Sequence, residues 1–335
     1  MALATAVGSF PGTDQAAHDE ALRIVLDELG EDLPCLPEVP GRGHLAGMVG
    51  RTVGLLGDLD ADLQPAGWRL TGTSGAPALD QRRARSLLGQ DLDALEERAE
   101  GFTGAFKVQL TGPWTLAATV ERPRGDKVLA DHGARRDLAQ ALAAATADHV
   151  ADVRRRLPGA SRLVVQLDEP SLPAVLAGRI STASGFGKHR TVHPPAASEA
   201  LEWVTEAVTG AGAEAWVHCC AADAPVGLLR GAGATGVLVD LDTVTAEAMD
   251  SLAEALEAGT TVVLGVVPTH RPDAVPSDTD LIRRVHRWLE MVGLDPAELG
   301  DRLAVAPACG LAGADRSWPP RALRLARSVA ANLAS

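Results

Sequence analysis

Eight short apolar runs, each closed by polar residues or by Gly and Pro, punctuate the chain at 3–8, 34–38, 105–110, 162–168, 215–218, 236–240, 261–267 and 303–308. Runs of this length, rich in Val and Leu, have the composition of strands. Between most of them lie stretches rich in Ala, Leu, Arg and Glu with apolar residues at helical spacing. The clearest are 14–29, 135–156, 198–209, 246–258 and 278–292. Glycines stand at or near their ends, at Gly30, Gly159, Gly210, Gly259 and Gly293, where a left-handed cap is expected. Strand–helix alternation implies a parallel sheet, and the near-continuous apolar strands imply burial on both faces. Eight units predict a closed α/β fold, the (β/α)8 TIM barrel, with a doubly wound open sheet as the alternative.

Residues 41–104 are too long for a simple strand–helix connection. They predict an insertion after the second strand, at the barrel mouth, with residues 68–75 as a hairpin or extended lid. With no domain boundary evident, residues 1–335 are expected to form one barrel unit.

Composition narrows the function classes. The chain has 335 residues, 46% of them hydrophobic, and a formal net charge of −13. That charge argues against a nucleic-acid partner. No apolar run reaches the roughly 18–20 residues of a membrane span. The first residues lack the basic and apolar segments of a secretory signal, so the chain is expected to be cytoplasmic. Four cysteines, Cys35, Cys219, Cys220 and Cys309, are too few for a disulfide scaffold, and their clustering near a histidine points to metal or catalytic chemistry.

In a TIM barrel the active site is built at the C-terminal ends of the strands. Just past the predicted strands lie Ser9, Glu38, Thr111–Trp114, Asp168–Pro170, His218–Cys220, Asp240, Pro268–His270 and Cys309. His218, Cys220, Asp240 and Cys309 supply an imidazole, two thiolates and a carboxylate, a complete tetrahedral donor set for zinc. Alternation along a strand turns His218 and Cys220 to one side and Cys219 to the other. The bland alternative is that Cys220 and Cys309 are small buried apolar groups. His270 is the candidate for acid–base work. His18, His132, His149 and His286 suit surface or packing positions, and His44, His189 and His193 lie in loops. Asp168 suits either a substrate ammonium or a helix cap. Trp114 suits either a flat ligand or a turn that opens a helix at Pro113. Residues 8–12, with Ser9, could hold a carboxylate through backbone N–H groups. No glycine-rich phosphate loop is present.

Taken together, these motifs resemble the C-terminal catalytic barrel of cobalamin-independent methionine synthase, within the broader uroporphyrinogen decarboxylase-like group. The matching pieces are Val7-Gly-Ser-Phe-Pro11, Thr111-Gly-Pro113, Gln166-Leu-Asp-Glu-Pro170, His218-Cys-Cys220, Val237-Leu-Val-Asp240 and Pro307-Ala-Cys-Gly-Leu311. They occur in the family's order and cover nearly the whole chain.

The resemblance implies a zinc-dependent methyltransferase that converts homocysteine to methionine. It implies a zinc ion (Zn2+) on His218, Cys220, Asp240 and Cys309, with Asp242 as fallback because the family carries Glu where this chain has Asp. It implies that Ser9, Glu38 and Asp168 hold the amino-acid end of homocysteine. Four departures bear on the methyl donor. The N-terminal half of the long enzymes has no counterpart here. The Glu shortly after Asp-Glu-Pro is replaced by Pro173-Ala174. The family's catalytic His falls near Pro268, so His270 would have to stand in, and Trp114 sits too early to match the folate-stacking Trp. The donor is therefore expected to be a methylcorrinoid, free or protein-bound, or methyltetrahydrofolate. Rival expectations are a relative acting on another thiol or cleaving a thioether, a metal-free decarboxylase, and a non-catalytic zinc-binding barrel.

Overall fold

Parallel strands separated by helices bury both faces either as an open sheet covered on each side or by rolling up, and the chain rolls up. The computed structural model describes residues 2–72 and 78–333; residues 73–75 of the expected lid lie outside them. One parallel sheet contains β1 (Leu3–Ala4), β4 (Ala105–Thr111), β5 (Arg162–Asp168), β6 (Glu214–Cys219), β7 (Gly236–Asp240), β8 (Thr261–Val267) and β9 (Leu303–Pro307), ordered β1-β9-β8-β7-β6-β5-β4. A separate antiparallel hairpin joins β2 (Ala61–Gln64) to β3 (Gly67–Leu70).

The gap between β1 and β4 is filled by residues 33–38. Thr5 bridges Leu33 and Ser9 bridges Glu38 on one side, while Cys35 bridges Lys107 on the other, all in parallel. These pairs close the barrel with eight strand positions. The second position was expected to be a regular strand but is held by isolated bridges, because Pro34 and Pro37 have no N–H to continue a ladder.

Alternation sorts the side chains into two cores. Val7, Leu33, Val164, Trp216, Leu238, Val263, Ala304 and Ala306 fill the barrel interior. Val108, Val165, Val217, Cys219, Val239 and Leu264 face outward into the larger core shared with the helices. The helices Gln15–Leu29 and Trp318–Asn332 pack together, tied by Arg324–Glu28 at 3.0 Å and Arg327–Glu31 at 2.7 Å.

Of the five cap glycines, only Gly259 (φ 88°) and Gly293 (φ 74°) are left-handed. Gly30 is right-handed, Gly210 belongs to its helix, and Gly212 takes the positive φ instead. Two of the histidines left between surface and packing positions are packing residues. His18 and His149 are almost wholly enclosed, and burial lowers both pKa values to about 4, in His18 against the opposing pull of Asp91.

The insertion contains the helices Met48–Leu55 and Leu79–Arg98 with the hairpin between them. Buried Asp91 of the second helix accepts from Arg42 (2.8 and 2.6 Å) and from Arg51 of the first (2.7 Å). Among the described residues, no helix is long and apolar enough to cross a membrane.

Candidate active site

Inward-facing positions turn polar toward the C-terminal rim. On β4, Lys107 is followed inward by Gln109; on β5, Val164 is followed by Gln166 and Asp168; on β6, Trp216 is followed by His218. The register sets Gln109 beside Gln166 and Asp168 beside His218. Above them opens a cleft of about 220 Å³ whose lining includes Ser9, Glu38, Asp168, His218, Cys220 and Cys309. Met48 from the insertion also lines it.

His218, Cys220 and Cys309 each offer a ligand atom, and these atoms lie within 4.8 Å of one another. The two Sγ atoms are 2.9 Å apart, both thiols free. His218 Nδ1 is 2.8 Å from Asp168 Oδ1, while its buried Nε2 has no hydrogen-bond partner. A histidine bound through one nitrogen to a carboxylate, with the other free among thiols, is the arrangement of a metal-ligating imidazole. The donors present therefore fit zinc. Burial opposes charge on His218, but Asp168 and Cys309 outweigh it and raise the pKa to about 9. The Cys309 thiol is held well below its ordinary range, first by the Cys220 thiol and also by His218. Cys219 faces the outer core, where burial pushes its pKa up to about 12.

Asp240 stands at the end of β7 but outside the 4.8 Å group formed among the described residues. Its Oδ1 accepts from the Asp242 backbone N–H at 2.9 Å. Asp242 itself is exposed and pairs with Arg284.

Glu38 is buried, and burial raises its pKa to about 7, with Arg51 (3.6 Å away) opposing. Asp168 receives Gln166 Nε2 at 2.8 Å on the same oxygen that meets His218. The capping role weighed for Asp168 falls to its neighbour. Glu169 accepts from the backbone N–H groups of Trp114 and Thr115 at 2.8 Å each and so caps the helix Pro113–Thr119. Burial raises Glu169 to a pKa of about 7. Backbone contacts tighten the floor of the cleft: a Cβ on Gly8 (φ 142°) would strike Gln109, and one on Gly310 would strike Ser9 Oγ.

Trp114 and His270 lie away from this group. Trp114 is 3% exposed, its indole N–H donates to Ala197 O at 2.9 Å, and the Arg135 guanidinium sits over its ring. It opens the helix at Pro113 and packs behind the barrel wall. His270 is exposed, with Nδ1 3.0 Å from Thr269 Oγ1 and Nε2 facing Gly313. Lys107, Gln109 and Arg51 were not singled out from sequence. The available signal was parity: polar Lys107 and Gln109 alternate with Phe106, Val108 and Leu110 in a strand buried on both faces.

The fold and this rim define a (β/α)8 barrel with a thiol–imidazole site at its C-terminal face. The chain matches the family described as the cobalamin-independent synthase catalytic domain over residues 98–332, and it belongs to that family of methyltransferases. The matched stretch carries β4 to β9 and the clustered side chains of His218, Cys220 and Cys309. Among solved structures, a B12-independent methionine synthase from Shewanella sp. W3-18-1, in complex with selenomethionine, shares the fold. It is 14% identical, with a TM-score of 0.64 over 98% of this chain and 96% of that one. A Xaa-Pro dipeptidase with bound methionine is 16% identical over 78% of this chain and 70% of that one, but its TM-score of 0.30 is too low to bear on the fold. No curated protein matches the chain.

Proposed function

We propose that this protein is a zinc-dependent S-methyltransferase that converts homocysteine to methionine. The observation that carries the reading is the unpartnered His218 Nε2 beside Cys220 and Cys309, with Asp168 on the other ring nitrogen. His218, Cys220 and Cys309 would hold the ion, and Asp240 is the proposed fourth ligand. When bound, zinc supplies a Lewis acid that keeps a thiol sulfur anionic near neutral pH.

The chain's own groups orient the substrate. Glu38 and the remaining oxygen of Asp168 present negative charge to the ammonium group. The Ser9 hydroxyl donates to the carboxylate. The thiol end then faces Cys220 and Cys309. The B12-independent methionine synthase of the same fold was solved with selenomethionine, which supports this substrate class.

For the donor we favour a methylcorrinoid, free or protein-bound, over methyltetrahydrofolate. In that transfer the S–CH3 bond forms as the Co–CH3 bond breaks, and the electron pair stays on cobalt. A methylfolate must instead gain a proton at its leaving nitrogen, and losing general-acid help costs roughly 10²–10⁴ in rate. The exposed, Thr269-bonded His270 is the proposed acid should the folate route operate. The deciding assay offers both donors to zinc-loaded protein with homocysteine. Faster turnover with methylcobalamin supports the reading. Efficient folate turnover that is lost in His270→Ala would reverse the donor, and no methionine from either would sink the proposed function.

A further inference from the structure

A buried polar chain below the site has no place in that reaction. Lys107 on β4 is 0% exposed. An ammonium group has three hydrogens to donate, and Lys107 Nζ meets three acceptors: Ala6 O at 2.6 Å, Val7 O at 3.3 Å and Gln166 Oε1. Gln166, on the neighbouring β5 and equally buried, is thereby fixed in orientation. Its amide oxygen faces a group that only donates, and its nitrogen faces the Val7 carbonyl, which only accepts, at 2.9 Å. The second hydrogen on that nitrogen goes to Asp168 Oδ1 at 2.8 Å, the atom that also meets His218 Nδ1 at 2.8 Å. A metal on Nε2 would leave the ring's one hydrogen on Nδ1, where Asp168 Oδ1 is placed to accept it.

We propose that Lys107 is a positioning residue for the metal site, acting through Gln166 and Asp168 to set the tautomer and aim of His218. This rests on the reading that the thiol–imidazole group binds zinc. The cost of burying an ammonium group argues for a specific role. A methionine of similar length would fill the same space without the desolvation that lowers the Lys107 pKa. It would also leave the Gln166 oxygen without a donor. An amide free to turn its oxygen toward Asp168 would set acceptor against acceptor and loosen the carboxylate that holds His218. Partners of this kind, once removed, typically cost 10–100-fold in metal affinity.

The test measures zinc affinity of the full chain by competition with a chromophoric chelator, alongside urea denaturation. Lys107→Met and Gln166→Leu should each weaken zinc binding by about 10–100-fold. The double variant should bind no worse than the weaker single variant, because both changes break one chain. Gln166→Glu keeps an oxygen for Lys107 but loses the donor to Asp168. It should show the same loss while the new ion pair preserves the fold, so it carries the test if Lys107→Met does not fold. Wild-type affinity in Lys107→Met or Gln166→Glu, or losses that multiply in the double variant, would overturn the role. A wild-type chain that takes up no zinc would overturn the metal reading itself, a separate result from normal wild-type binding with an unaffected Lys107→Met.

Discussion

At the scale of single residues, neighbours in sequence have opposite environments. Cys219 and Cys220 differ by one position, yet one thiol lies in the outer core and the other faces Cys309. Cys220→Ala should therefore abolish stoichiometric zinc binding, measured by metal analysis after dialysis, and Cys219→Ala should retain it. The opposite outcome would refute the inward parity of His218 and Cys220. Glu38 makes a second prediction. Burial raises its pKa to about 7, so it is a carboxylate above that pH and a neutral acid below it. Homocysteine affinity should fall as pH drops through about 7, and Glu38→Gln should remove that dependence. Calorimetric titrations at pH 6 and 8 check both, and an identical affinity at the two pH values would exclude Glu38 from the ammonium site.

At the scale of elements, the insertion is fastened to the barrel rather than draped over it. Asp91 holds Arg42 and Arg51, and Arg51 reaches Glu38 in the cleft. Asp91→Ala would leave buried Arg42 without a carboxylate and Arg51 with Glu38 alone, and breaking a buried pair in this way costs about 3–5 kcal/mol. Urea unfolding should show a loss of that order. A loss below ~1 kcal/mol, the range of exposed pairs, would mean that the cluster is solvated. The helix Met48–Leu55 carries both Met48, on the cleft lining, and Arg51, so the same substitution should also weaken homocysteine binding.

For the whole molecule, the buried histidines set an acid limit. His18 and His149 have folded pKa values of about 4 against an ordinary value of 6.5, burial being the main cause in each. The unfolded chain therefore takes up these protons first. These two groups should contribute no slope above about 6.5 and a loss of stability as pH drops toward 4, against the opposite contribution of Glu38 and Glu169, whose raised pKa values of about 7 favour the folded state as pH falls. Urea midpoints at pH 7.5, 5.5 and 4.5 test this, and His149→Gln should shallow the slope. A His149→Gln profile parallel to that of the unsubstituted chain over that range would contradict the depressed value of His149.

Much of the barrel is legible in the sequence because both signals it uses are local. The strands at 162–168, 236–240 and 261–267 and the helix at 278–292 have the boundaries that apolar runs and punctuation imply. The cluster of His218, Cys220 and Cys309 follows from strand parity and from the rule that sites gather at strand ends. Where backbone hydrogen bonding is interrupted, as at Pro34 and Pro37, an apolar run could not reveal that its strand would survive only as bridges. Trp114, left open between ligand and turn, is held by an indole hydrogen bond to Ala197, 83 positions away. Asp168 and Glu169 are adjacent acids; alternation past the end of β5 sends one into the barrel, and only the tertiary structure shows the other reaching a helix N-terminus. Local pattern determined which residues line strands and helices. Which of the buried polar groups meet, as Lys107, Gln166, Asp168 and His218 do, was decided only by register between strands, because register brings together residues that the chain keeps far apart.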